Sequence, residues 1–289
     1  MDKLNNELLN LLEDLLEQSD DSFEEVLIEY QNSRDKLKQM IAQIYMQYGI
    51  DGELDFNQLQ RTGVLKQFNE QVEEELVKIG TLEVFTITAI LGAAFTQSYY
   101  RSAFTLEQNL NVGINFNRVN QSILDEFINQ NWSKKHFSDR IWANQNALRK
   151  ALSTNLEKGI RNGDKLDKVA KIFDAQFKSR SSESMRLVRT ETAKIIEESR
   201  EKIYAENGIG KIQWLSTLDS VTSEGCIELD GQIFDIDDHN KPDCPRHPNC
   251  RSTYVPYLEI GTNIRKDNKT KEYIPYQNYN EWAEANDIA

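Results

Sequence analysis

The sequence predicts a mostly α-helical protein with a small C-terminal α+β domain, in which long N-terminal helices are followed by a helix and short antiparallel strands. All five prolines lie between residues 242 and 275, so the first 241 residues lack the strongest helix breaker. Apolar residues recur at helical spacing through most of that stretch. The alternation typical of short strands is confined to segments after residue 210.

Length and composition suit one large or two modest globular domains, since the chain has 289 residues of which 39% are hydrophobic and 28% charged. The longest apolar run, at 84–95, is far shorter than the roughly twenty residues of a spanning helix, which predicts a buried helix and no membrane span. The N-terminus has neither a basic start nor a small-residue cleavage site. These features predict synthesis in a cytoplasm without a secretion signal.

The first region, residues 1–115, is predicted to be acidic and helical. Its apolar stripe consists of Leu4, Leu8, Leu11, Leu12 and Leu15, continued by Phe23, Val26, Leu27, Tyr30, Leu37 and Ile41. "GIDGELD" at 49–55 interrupts the pattern, which resumes from about residue 65 to 110. Residues 1–80 hold 18 acidic and 7 basic side chains, a net charge of −11. We expect this region to contact protein and not DNA, because its charge repels phosphates while its leucines offer apolar surface.

The second region, residues 116–180, is predicted to be basic and helical. Residues 131–190 hold 14 basic and 6 acidic side chains, a net charge of +8. The favoured interpretation is a solvated helical face, and the alternative is weak, non-specific contact with double-stranded DNA. The side chains proposed for that contact are Lys134, Lys135, Arg149, Lys150, Lys165 and Lys168.

The third region, residues 181–260, is predicted to be the α+β domain, and residues 261–289 a C-terminal extension. A helix starting near Ser181 should stop at Gly208 and Gly210. "KIQWLST" and "GQIFDID" alternate as strands do, and "CRSTYVPYLE" is a third candidate strand.

The region contains a cluster of soft metal ligands, Cys226, Cys244, His247 and Cys250. Two thiols and an imidazole at C-x-x-H-x-x-C spacing, with Cys226 from upstream, could close a tetrahedral zinc shell, and His239 is a spare ligand. In the alternative, the cysteines are small buried groups and the histidine hydrogen-bonds the backbone. The motifs of zinc deaminases and zincins are absent. The prediction is one structural zinc ion bracing a proline-stiffened turn, not a reactive centre.

An ordered series of short motifs surrounds this cluster. Its members are Arg189, Thr190 and Glu191 on a helix; Trp214, Ser216, Thr217 and Asp219; Cys226; Leu229, Asp230 and Gly231; and His247, Pro248, Asn249, Cys250 and Arg251. The series, over about residues 181–258, resembles the C-terminal domain of the Mu F-like minor head, or head-morphogenesis, proteins of tailed bacteriophages. The chain departs from that pattern at Ser252, where many relatives have a cysteine, and at Cys244, near which they have proline.

The resemblance implies a minor capsid protein of the virion that associates with the portal and assists head morphogenesis and DNA packaging, delivery or ejection. Its implied partners are the phage portal protein and other head proteins, with no membrane partner and no enzymatic activity. Its implied locations are the host cytoplasm during assembly, and the head interior or portal region of the virion.

The polar residues Arg189, Glu191 and Asp219 are expected to form a structural network between helix and sheet. Residues two apart on a helix do not face each other, so Arg189 and Glu191 should have separate partners, and Asp219 is a candidate partner for the arginine. Two alternatives stay open. These residues, with His247, could belong to a nuclease or toxin-like enzyme acting on nucleic acid, or the cysteine cluster could stabilise a DNA-binding module.

Overall fold

The computed structural model describes residues 2–110, 113–132, 135–258, 264–266, 273–275, 281 and 283–284. The helices are α1 (Asp2–Tyr48), α2 (Phe56–Arg61), α3 (Val64–Leu110), α4 (Gln121–Ile128), α5 (Phe137–Arg161), α6 (Leu166–Glu206) and α7 (Glu224–Ile227). The strands are β1 (Lys211–Leu215), β2 (Ile233–Asp235), β3 (Thr253–Pro256), β4 (Ile264–Lys266) and β5 (Tyr273–Pro275). Long helices followed by short antiparallel strands confirm the predicted fold class.

The helices end largely where the sequence places breakers. In the predicted interruption at 49–55, Asp51 and Gly52 have φ of 54° and 83°, and the Asp55 carboxylate accepts from the Gln58 amide at the start of α2. Gly208, with φ of 70°, ends α6 as predicted. The break expected before Ser181 is absent, and α6 runs continuously from Leu166 to Glu206. The helix continues because no glycine or proline interrupts it there. The Ser181 hydroxyl donates to the Lys178 carbonyl oxygen one turn earlier in the same helix.

The chain packs as two compact units. Unit 1 comprises residues 1–20, 90–129 and 188–289, and unit 2 comprises residues 21–89 and 130–187. Each unit collects segments that are distant in sequence. The linear division at residues 115, 180 and 260 follows composition and motifs, and it stays a prediction.

The leucine stripe at the start of α1 lies in the core of unit 1. Its five leucines, Leu4, Leu8, Leu11, Leu12 and Leu15, are each at most 3% exposed. The expectation that this stripe offers free apolar surface is therefore wrong, because the stripe is used to pack unit 1 itself.

Helix α3 is long and apolar enough, by length and composition, to cross a membrane. Its most apolar 18-residue window has a mean hydropathy of 1.6, and 39% of that window is buried. Threonine, serine and glutamine extend the uncharged stretch beyond the apolar run at 84–95. Core helices of water-soluble proteins meet the same criterion, so the expectation of no membrane partner stays a prediction.

Unit 1 contains a three-stranded antiparallel sheet in the order β2-β1-β3. Strand β1 is central, with Ile212 opposite Phe234 on β2 and Trp214 opposite Tyr254 on β3. The Trp214 and Tyr254 rings meet edge to face with centroids 5.1 Å apart, and both side chains are buried. Strands β4 and β5 form a separate antiparallel pair within the predicted C-terminal extension.

Candidate metal centre

Three of the four predicted metal ligands converge in unit 1. Cys226 lies on α7, and His247 and Cys250 lie in the loop between β2 and β3. The Cys226 Sγ is 3.7 Å from the Cys250 Sγ and 3.4 Å from the His247 Nε2, and the three ligand atoms lie within 4.8 Å of one another. Both cysteines are buried and the histidine is half-buried, so the cluster approaches solvent on the histidine side.

This spacing fits a tetrahedral zinc ion. With Zn–S bonds of about 2.3 Å and Zn–N bonds of about 2.0–2.1 Å, tetrahedral angles separate two sulfurs by about 3.8 Å and sulfur from nitrogen by about 3.5 Å. The two separations in the structure are 3.7 and 3.4 Å. Both separations from the Cys226 sulfur therefore match the spacing of zinc ligands.

The histidine ring presents the nitrogen that a metal would need. The His247 Nδ1 lies 3.0 Å from the Pro248 carbonyl oxygen, which only accepts, so Nδ1 carries the proton in this hydrogen bond. In the neutral ring, Nε2 then keeps its lone pair and accepts from the Ser223 hydroxyl at 2.8 Å. Nε2, 3.4 Å from the Cys226 Sγ, is the ring nitrogen nearest the two thiols.

The two neighbouring cysteines, Cys226 and Cys250, differ in pKa. A hydrogen bond from Cys250 lowers the pKa of Cys226 against the effect of burial, and a hydrogen bond from the Ser252 hydroxyl lowers it further. The same hydrogen bond, together with burial, raises the pKa of Cys250. Cys226 is therefore the thiol that deprotonates first, and the thiolate is the form that binds metal.

The predicted fourth ligand does not join the group. Cys244 is buried, and its thiol donates to the Ser252 carbonyl oxygen at 3.1 Å. Among the residues that the structure describes, the close ligand group consists of the other three, and burial raises the pKa of Cys244. The spare ligand His239 is exposed and is not in the group.

The loop that carries His247 and Cys250 is held by local and long-range hydrogen bonds. The Cys250 amide donates to the His247 carbonyl at 3.1 Å. Asn249 adopts a left-handed conformation with φ of 59°, which asparagine tolerates better than most residues, and its amide donates to the Thr190 hydroxyl on α6 at 3.3 Å. The Arg-Thr-Glu helix and the His-Pro-Asn-Cys loop, far apart in sequence, therefore meet in the structure.

The tryptophan strand positions Cys226 from the other side. The Trp214 indole N–H donates to the Ser216 hydroxyl at 2.9 Å, which in turn donates to the Cys226 carbonyl at 2.6 Å. The Ser216 amide donates to the Asp230 carboxylate at 2.8 Å. Gly231, with φ of 80°, pairs its amide with the Trp214 carbonyl at 2.9 Å. The Trp, Ser and Asp-Gly positions of the motif series thus form one hydrogen-bonded support for α7.

The expected polar network of Arg189, Glu191 and Asp219 has different partners. The Arg189 guanidinium makes two bonds of 2.8 Å to the Asp20 carboxylate on α1, and Asp219 pairs with Arg251. The suggested pairing of Arg189 with Asp219 is therefore wrong. Glu191 is buried.

A buried ion pair that the sequence analysis missed joins α6 to β3. Arg200 is fully buried and donates to the Thr253 hydroxyl at 2.8 Å and to the Leu8 carbonyl at 2.6 Å. Glu197, one turn earlier, lies 3.6 Å from that guanidinium and accepts from the Thr253 hydroxyl and, at 3.0 Å, from the Tyr254 amide. A charged pair spaced i,i+3 among apolar helix positions was the available signal.

Two of the side chains predicted to contact DNA, Arg149 and Lys168, lie next to carboxylates. Arg149 lies 3.6 Å from Glu73, and Lys168 lies 2.6 Å from Asp164. Arg149 and Lys150 line a groove of about 610 Å³ that Glu70, Glu73 and Glu157 also line. Lys134 lies outside the described residues. DNA contact by Lys135, Lys150 and Lys165 stays a prediction.

Comparisons with known proteins match the segment that carries the motif series. The family described as "Phage Mu protein F like protein" matches residues 150–255, which confirms the resemblance over that segment. The chain is 27% identical over 203 residues to a protein of Enterococcus faecalis named NAD(+)–arginine ADP-ribosyltransferase EFV, covering 64% of this chain and 42% of that protein. No solved structure matches.

A second relative is an "uncharacterized protein" of Haemophilus influenzae, 28% identical over 156 residues, covering 52% of this chain and 32% of that protein. The chain thus spans less than half the length of the curated relatives it matches. What those whole proteins do is not transferred to this chain by the match.

Proposed function

We propose that this protein is a minor head protein of a tailed bacteriophage that associates with the portal and assists head morphogenesis. The observation that carries the proposal is the match of residues 150–255 to the Mu F-like family, which supports head morphogenesis at the coarser level. Portal association, a part in DNA packaging or ejection, and a place in the head interior are the finer parts of the proposal.

The use of the motif residues in the structure supports a structural role for the segment. Ser216 hydrogen-bonds Trp214, Asp230 and the Cys226 carbonyl of α7. Thr190 accepts from the Asn249 amide in the loop that carries His247 and Cys250, and Arg251 pairs with Asp219. These side chains join elements of one unit to one another. Hydrogen bonds of this kind hold the elements of a domain in one arrangement, as a protein that acts by binding other proteins requires.

Partner contact is best assigned to the exposed acidic side of α1, because the leucine stripe is buried. Exposed carboxylates at Asp21, Glu24 and Glu25 follow one another along the part of this helix that belongs to unit 2. They favour protein over DNA, since their charge repels phosphates.

Co-purification with the portal protein encoded by the same genome tests the proposal. The full-length chain, co-expressed with tagged portal, should be retained by it, and reversal of Asp21, Glu24 and Glu25 to lysine should reduce retention. The matched control reverses exposed charges in the basic region, Lys150→Glu and Lys171→Glu. Absence of retention for the wild-type chain would contradict portal association, and equal losses in both variants would contradict the assignment to α1.

An enzymatic function is the second candidate, and the printed name of the Enterococcus faecalis relative favours it. More than half of that protein lies outside the match. Incubation of the purified chain with labelled NAD⁺ and an arginine-rich acceptor should give no transfer of label if the structural proposal is correct. Label transfer that requires the folded chain would establish the enzymatic alternative.

Non-specific contact of the basic region with duplex DNA would assist packaging. Contact with several lysines releases counterions, so affinity should fall as salt rises from low to physiological concentration. Fluorescence anisotropy with two unrelated duplexes measures both properties. Affinity that is insensitive to salt, or that differs between the duplexes, would contradict this mode of binding.

A further inference from the structure

We propose that Cys226, His247 and Cys250 bind one zinc-class divalent cation through a three-residue ligand set, and that solvent takes the fourth coordination position. The proposal rests on the side-chain geometry of unit 1 and is independent of the head-assembly function. It differs from the four-residue shell that the sequence predicts, in which Cys244 completes the coordination.

The placement of Cys244 argues for three ligands. Its thiol is committed to the Ser252 carbonyl at 3.1 Å, and its sulfur lies outside the group whose ligand atoms are within 4.8 Å of one another. Joining that group would require the buried side chain to leave its hydrogen-bond acceptor, and the Ser252 carbonyl would lose this donor. The other three residues need no such rearrangement.

The charge of the three-residue set also suits a dication. Two thiolates balance the double positive charge, and the imidazole binds as a neutral ligand through Nε2. The three ligands and a zinc ion together therefore carry no net charge.

Two serine hydroxyls lie beside the ligand atoms. Ser223 lies 2.8 Å from the His247 Nε2, and the Ser252 hydroxyl hydrogen-bonds Cys226. Ser223 and His247 are only half-buried, so water reaches this side of the cluster. A bound water there would be hydrogen-bonded by serine, and the metal would accept an external donor such as imidazole or a thiol.

X-ray absorption of the zinc-loaded wild-type chain tests the ligand count without any substitution. The expected zinc shell has two sulfur neighbours and two nitrogen or oxygen neighbours, in protein that carries about one metal ion per chain. Cobalt-loaded protein should change its visible spectrum when imidazole is added. Three sulfur neighbours, a cobalt spectrum that imidazole leaves unchanged, or a chain that binds no zinc would each overturn the proposal.

Three variants test which cysteine sulfurs bind the metal and where the fourth coordination position lies. Cys250→Ser should weaken zinc binding by more than about 100-fold, because a ligand is lost, whereas Cys244→Ser, a matched cysteine substitution, should retain one zinc per chain. Ser252→Cys should tighten binding by at least about tenfold, because its thiolate would stand beside Cys226 and displace the water. Affinity is measured by competition with a chromophoric chelator.

Circular dichroism shows whether each variant is folded. If Cys250→Ser is unfolded, the half-buried His247→Ala replaces it with the same expected loss of zinc. A folded Cys244→Ser protein that has lost its zinc would overturn the three-residue set. Unchanged zinc affinity in Ser252→Cys would contradict the placement of the fourth position beside that residue.

Discussion

The two units each bury a glutamate, but they stabilise it in different ways. In unit 2, Glu83 lies among neutral donors, with the Tyr30 hydroxyl and the Gln145 amide each 3.2 Å from its Oε2. In unit 1, Glu197 lies beside the Arg200 guanidinium and accepts from the Tyr254 backbone amide. Burial is the largest cause of a raised pKa at both glutamates, and a cation opposes it only at Glu197 among the causes identified.

The difference shows that buried polar side chains have different roles in the two units. Packing of α1, α3, α5 and α6 in unit 2 is specified by apolar stripes, and a hydrogen-bonded cluster without a basic side chain links Glu83 to Tyr30 and Gln145 in its core. Unit 1 must attach a small sheet to a helix, and it does so with a charged pair that bonds the backbone of β3 and the Leu8 carbonyl of α1. A buried ion pair fixes one arrangement because either partner alone is costly.

Loss of the buried cation should have the largest effect. Arg200→Met leaves Glu197 without its cation and the Leu8 carbonyl without its donor, so we expect a loss of about 3–5 kcal/mol in the free energy of unfolding. Urea denaturation measures it. Arg101→Met is the matched control, since the Arg101–Asp14 pair of unit 1 is exposed and should contribute at most about 1 kcal/mol. Equal effects of the two substitutions would show that the buried pair has no special role.

The second prediction concerns the pH dependence of unit 2. The folded-state pKa of Glu83 is raised above its ordinary value of 4.5, so the stability that its protonated form contributes is complete below that value and is lost as pH rises through the folded pKa. Glu83→Gln keeps a neutral group there and should remove this loss. At neutral pH the variant should be more stable than wild type, because it no longer buries a carboxylate that loses its proton.

Urea denaturation between pH 4 and pH 8 compares the two proteins, and the slope of the difference is the diagnostic quantity. The exposed Glu70→Gln is the control for removal of a carboxylate that forms only a surface pair with Lys66. Parallel stability curves for wild type and Glu83→Gln would contradict a raised pKa of Glu83 in the folded protein.

The smallest effect should come from the arginine of the Arg-Thr-Glu motif. Arg189 and Asp20 form a bidentate pair, but their side chains are 44% and 32% exposed. Arg189→Ala should therefore lower the free energy of unfolding by at most about 1 kcal/mol. A loss as large as that of Arg200→Met would mean that the motif arginine, and not the buried one, holds the helix in place.

Elements governed by local pattern could be predicted from the sequence. Proline placement and apolar periodicity identified the long helices, the breaker at 49–55 and the stop at Gly208, and alternation identified β1, β2 and β3. The join between two expected helices within α6 was missed because serine and charged residues permit either a helix or a loop. Which apolar stripe would be buried depended on tertiary packing.

The site was predictable in composition but not in detail. The spacing of Cys226, His247 and Cys250 in the sequence predicted that they could bind one metal ion, and the structure places their ligand atoms close together. Spacing could not show that Cys244 turns to the Ser252 carbonyl, because that depends on side-chain direction. The Arg200 bond to Leu8 joins residues 192 positions apart, and no local periodicity encodes such a contact.

Quantitative mass spectrometry of purified heads from the phage or prophage that encodes this chain tests the central claim most directly. Heads, separated tails and unassembled lysate protein are compared, with particles from a gene deletion as the background control. The account predicts that the chain is enriched in heads at low copy relative to the major capsid protein, and that it is absent from tails. A chain abundant in the lysate but at background level in heads would contradict the proposed function.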